Sequence, residues 1–188
     1  MIKLRKVLDR PIGELTREGI NGAHASRSVR EQVAELGGTR AAARQIGRSE
    51  RTIRRWAQNN TVPTRGGAKQ SFDQAVADRR GSADYRRAQL NPRREKRMRN
   101  NGARLQFSGM AGPLNDSTDD SFKRRNIDVH ISAAAMSDIL DAYLVDGDQA
   151  AVDALGQALA EEYMYTENYG WQFAPQVKAV DFLRHNSW

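Results

Sequence analysis

The sequence predicts an α+β chain: an all-α N-terminal part, a basic helical connector and a small C-terminal β-α-α-β domain. Three observations predict it. Apolar residues recur at helical spacing between Val29 and Trp56; apolar and polar residues alternate strictly over Ile127 to Ser132; and apolar positions return to helical spacing from Met136 to Leu159. The boundaries read from these patterns are an arm over 1–25, a helical domain over 26–67, a connector over 68–101 and an α+β domain over 102–188.

Residues 1–25 carry Pro11, Gly13, Gly19 and Gly22 over a weak apolar pattern, so they are expected to form an arm with one short helix. Ser26 or Ser28 caps a helix with Val29, Val33 and Leu36 on one face, and Gly37-Gly38 ends it. Thr39 is expected to cap a second helix that Gly47 breaks. Ser49 caps a third that runs to about Asn59 and is closed by Val62-Pro63. Gln70 to Asn100 is polar, with Phe72, Val76 and Tyr85 as its few apolar anchors, and is divided by Gly81-Ser82 and Asn91-Pro92. Its last piece, Arg93 to Arg99, is a dense cationic run. Leu105 and Phe107 suggest a short strand, Gly109 to Ser121 a turn-rich loop, and Ile127, Val129 and Ile131 a half-buried strand. Two helices follow, with Gly147 between them, and Val177 to Leu183 is the last strand candidate. Val129, Tyr143, Leu155 and Phe182 are expected in the core.

Charge divides the chain unevenly. Residues 1–110 hold 25 Lys and Arg against 10 Asp and Glu, net +15, and residues 111–188 hold 5 against 13, net −8. A half that basic attracts a polyanion, so nucleic acid is expected on the N-terminal side and an acidic surface on the C-terminal domain. Cys is absent, which excludes disulfides, thiolate metal sites and cysteine nucleophiles. His24, His130 and His185 lie too far apart for a zinc-ligand spacing, and His130 reads as a surface histidine. No metal or cofactor is expected. No window approaches the roughly 20 apolar residues of a membrane span, so the expectation is a cytoplasmic, nucleoid-associated protein with no membrane partner.

The segment Thr39 to Trp56 meets the requirements of a helix-turn-helix. Ala43 is small enough for two helices to cross, Gly47 permits the turn, and Ile53 and Trp56 turn the third helix's apolar stripe inward. The other face carries Glu50, Arg51, Thr52, Arg54, Arg55 and Gln58. In this motif the N-terminal end of that helix enters the major groove, so Arg51 and Thr52 are expected on base edges, with Arg48, Arg54 and Arg55 on bases or phosphates. Arg93, Arg94, Lys96 and Arg97 are expected along phosphates. A solvated cationic helix in an ordinary bundle has the same composition.

The order of these features resembles the terminal proteins of Streptomyces linear chromosomes and plasmids: the Thr39–Trp56 motif, an Arg-rich connector, a Gly-rich strand, a Ser-Thr-Asp-Asp loop and an Ile-Asp-Val-His-Ile strand before paired helices. The likeness runs over about residues 26–183. It implies a protein bound covalently to a telomeric 5′ end, in which a loop hydroxyl primes a DNA polymerase. The family's acceptor loop, Thr-Thr-Asp-Glu, matches Ser117-Thr118-Asp119-Asp120 here, with one more residue before the strand. Thr118 is then the implied nucleotide acceptor and Ser117 the second choice, although turn residues in a solvated loop have the same composition. The implied partners are double-stranded or folded single-stranded telomeric DNA, a DNA polymerase, a telomere-associated protein, and a second copy as a homodimer. The protein would act as a primer and not as an autonomous enzyme. A helix-turn-helix transcriptional or plasmid/phage regulator with a C-terminal dimerisation domain fits the same motif.

Overall fold

The structure is a computed structural model, and it describes residues 10–22, 28–113, 123–163 and 170–183. Helix and antiparallel sheet are both present, so the chain is α+β. It divides into two compact units, one of residues 24–86 and one made from residues 1–23 together with 87–188. The division expected after residue 25 falls within two residues of the boundary at 23/24, whereas those expected after residues 67 and 101 do not coincide with the boundary at 86/87.

The chain opens with β1 (Arg10–Pro11) and α1 (Ile12–Asn21). Ile12, Leu15 and Ile20 of α1 are buried in the core of the split unit, so this segment is an integral helix and not an arm. Its local pattern is weak because the surface it covers lies far along the sequence. Arg10 bonds Glu14 and Glu18, at 2.5 Å to Glu18 Oε1, and the Glu18 bond in particular holds the guanidinium above its ordinary pKa.

The unit of residues 24–86 begins with α2 (Val29–Glu35), where Ser28 and Glu31 form a reciprocal capping box. It continues with α3 (Thr39–Ile46), α4 (Glu50–Asn59), α5 (Ala68–Gly81) and the start of α6 (Ala83–Gln89). Thr39 does not cap α3. It is the first helical residue, and its hydroxyl donates to Glu50 at 3.1 Å. Asn60, at φ 49°, ends α4 before Val62-Pro63 is reached. The expected separation of the connector from the helical domain also fails: Phe72 and Val76 of α5 complete a core with Val33, Leu36, Ala42, Ile46, Ile53, Trp56 and Val62.

The split unit resumes with α7 (Pro92–Asn101), β2 (Ala103–Pro113), β3 (Lys123–Ile131), α8 (Ala133–Val145) and α9 (Asp148–Glu162). Three short strands close it: β4 (Trp171–Phe173), β5 (Gln176–Val177) and β6 (Ala179–Leu183). β2 is the central strand, antiparallel to β3 on one side and to β4 and β6 on the other. It runs to Pro113, so Gly109 to Pro113 is strand where a loop was expected. The reason is pairing with β4, and a close approach at Gly109, where a Cβ would lie 2.7 Å from Val177 Cγ1. Alternate residues Ala103, Leu105, Phe107 and Ala111 are buried against Ile12, Leu15, Met136, Ile139, Tyr143, Leu155 and Leu159, while Arg104 faces the other way, into solvent. Tyr143, Leu155 and Phe182 are core as expected, and Val129 is half-buried against it. Ser117 and Thr118 lie outside the described residues.

Candidate nucleic-acid interface

Two helices that cross closely can be joined by three residues only if the chain reverses sharply, and Gly47 takes a left-handed conformation, φ 69°, to do so. Its N–H bonds Ala43 O, which ends α3. Ser49 then starts α4 by accepting from the N–H of Thr52 at 3.2 Å. Ile53 is fully buried and Trp56 nearly so, the latter edge-on to Phe72 with ring centroids 6.4 Å apart and planes at 81°.

At about 100° per residue, anchoring Ile53 and Trp56 inward directs Arg51, Arg54, Arg55 and Gln58 to the opposite side. All four are exposed. Arg51 and Arg55 have no carboxylate partner among the described residues. Arg54 donates to Glu50 at 2.9 Å, and Glu50 also accepts from Thr39, so Glu50 orients Arg54 and ties α4 to α3. Thr52 is half-buried, with its hydroxyl 2.8 Å from Ser49 Oγ. Arg48 is exposed and donates to Gly66 O at 3.2 Å.

Arg40 and Arg44, one turn apart on α3, and Arg65 are also exposed, and none was singled out from the sequence. The i, i+4 spacing of Arg40 and Arg44 was the available signal. Residues 39–67 carry seven Arg against the single acid Glu50. Elsewhere in the unit Glu35 pairs with Arg80 at 2.9 Å and Asp73 with Lys69 at 2.8 Å. Residues 24–86 hold 13 Lys and Arg against 6 Asp and Glu, net +7, and the rest of the chain holds 17 against 17. The whole net charge of the protein therefore equals that of this unit.

The expected phosphate contacts on α7 belong to the other unit. Arg93 and Lys96 are exposed and Arg97 is half-buried. Arg94 departs from the expected phosphate role. Its guanidinium donates to Ile20 O at 2.8 Å, Gly19 O at 2.6 Å and Phe182 O at 2.5 Å, so it fastens the end of α1 to β6 and is unavailable to a phosphate. Sequence pattern cannot separate it from its cationic neighbours, because only its place on the inward side of α7 distinguishes it.

Among the described residues no group of three potential metal ligands occurs, and no helix is long and apolar enough to cross a membrane. No family model, curated protein or solved structure matches the chain.

Proposed function

We propose that the unit of residues 24–86 binds duplex DNA as a helix-turn-helix domain, with α4 in the major groove. The observation that carries this reading is the division of α4 into a buried Ile53–Trp56 stripe and an opposite, exposed face of Arg51, Arg54, Arg55 and Gln58. Arg51, near the N-terminal end, is assigned to a guanine edge. Arg54, steadied by Glu50, is assigned to a base or a flanking phosphate. Arg40, Arg44 and Arg65 supply further charge for phosphates. Titrating a mixed-sequence duplex at several salt concentrations tests the reading. The logarithm of affinity should fall linearly with that of salt, and the slope should flatten by about one for each phosphate-contacting Arg removed. Affinity unchanged in an Arg51→Ala/Arg54→Ala variant would refute it.

The resemblance to terminal proteins supports a further step in the same reading, in which DNA binding delivers a primer hydroxyl to a telomere. The oxygen of Thr118, or of Ser117, attacks the α-phosphorus of an incoming deoxynucleoside triphosphate in a polymerase site. Pyrophosphate leaves, and the hydroxyl proton passes to the polymerase or solvent. Incubation with polymerase, template and labelled nucleotide should label the wild type and not a Thr118→Val/Ser117→Ala variant. Intact DNA binding with no label in the wild type is the outcome a regulator would give.

A further inference from the structure

We propose that the outer edge of β3 pairs, antiparallel, with β3 of a second copy of this chain, about a two-fold axis through Asn126. β3 is nine residues long and bonds β2 along one side; among the described residues no strand pairs with its other side. A strand edge with no neighbouring strand can template another, and proteins ordinarily shorten or cover such edges. The opposite side of this sheet is covered. α1 passes so near β6 that a Cβ on Gly19 would lie 2.7 Å from Val180 O, and Arg94 caps Phe182 O at 2.5 Å.

The residues of β3 select both the occupant and the register. Across a two-fold axis normal to the sheet, residues on the same face oppose one another, so each register is centred on one residue. Centring on Arg124, Arg125 or Asp128 sets like charges directly opposite, which is unfavourable. Centring on Ile127 sets Arg124 against His130. Centring on Asn126 sets Arg124 against Asp128 of the second copy, twice by symmetry, and Asn126 against itself, where the amide N–H groups can donate and Oδ1, which already accepts from Ser108 Oγ at 2.7 Å, keeps a second lone pair. Asp128 has room for the bond. Within its own sheet Oδ1 accepts from Arg104 Nε at 2.6 Å, while Oδ2 accepts from Arg104 and Gln106, which leaves one lone pair on Oδ1. Arg124 is exposed and has no partner among the described residues. The resulting dimer carries two copies of α4 in one assembly, and the pairing itself does not depend on DNA.

The chain has no cysteine, so a single introduced thiol reports the register. Residues opposed on the axis have Cα atoms about 4.5–5.5 Å apart, within the disulfide range of about 4.4–6.8 Å. Sedimentation of the full chain should show a dimer in reversible equilibrium with monomer. Arg124→Lys should keep it, and Arg124→Asp, with its circular dichroism unchanged, should be monomeric. Under oxidised glutathione Asn126→Cys should form a covalent dimer faster than a collisional control, Asp138→Cys. A wild type monomeric at every concentration, a dimer untouched by Arg124→Asp, or cross-linking at Asn126→Cys no faster than the control would each overturn the proposal.

Discussion

Arg51 and Arg54 sit three apart on one helix face yet differ in what restrains them, since Glu50 holds Arg54 and no carboxylate holds Arg51 among the described residues. Arg51→Ala should cost about 1–3 kcal/mol of specific binding and relax the preference at one base pair. Arg44→Ala should weaken all sequences alike. Removing Glu50 should raise non-specific affinity, because a negative charge leaves the face and Arg54 loses its tether. On the sheet, the Arg104 hydrogen bond holds the Asp128 carboxyl below the usual carboxylate range. A carboxyl depressed in the folded state contributes stability above its unfolded pKa and loses it as pH falls through its folded pKa. The denaturation midpoint of the split unit should therefore drop as pH is taken from about 5 towards 3, and Asp128→Asn should flatten that drop. The opposite change, a midpoint rising in acid, would contradict the Arg104–Asp128 assignment.

Elements differ in how much of them the sequence makes legible, and the reason is where their partners lie. The α3–turn–α4 segment is legible because Ala43, Ile46, Gly47, Ile53 and Trp56 satisfy one another within a short span. Phe72 is not, since a lone aromatic in a polar helix gives no sign that Trp56 will meet its ring. α1 is obscured in the same way: Ile12, Leu15 and Ile20 bury themselves against strands and helices more than a hundred residues away. In β2, Gly109, Gly112 and Pro113 carry turn propensity that pairing with β4 overrides. The resulting packing gives a stability prediction. Trp56→Ala should lose about 3–5 kcal/mol in the 24–86 unit. Trp56→Phe should lose much less, because the indole N–H is buried without a partner among the described residues. Gly47→Ala should cost about 1–2 kcal/mol through its left-handed φ alone, since its Cβ meets nothing within 4 Å. Thermal unfolding of the three variants checks the order.

At the scale of the whole molecule, one unit is interrupted in sequence by the other, and their chemistry is divided accordingly. Deleting residues 1–22 removes Ile12, Leu15 and Ile20 from the split unit's core and should unfold that unit while leaving 24–86 folded, an outcome that amide exchange resolves unit by unit. The charge partition leads further. All net positive charge resides in residues 24–86, so that unit should account for the salt dependence of DNA binding. The central claim is that α4 reads bases. Its most direct test is selection from a pool of randomised duplexes by the wild type and by Arg51→Ala at one fixed salt concentration. The account predicts that the wild type enriches a defined site and that Arg51→Ala loses the preference at a guanine within it. Enrichment of the same site with the same base preferences by both proteins would contradict it.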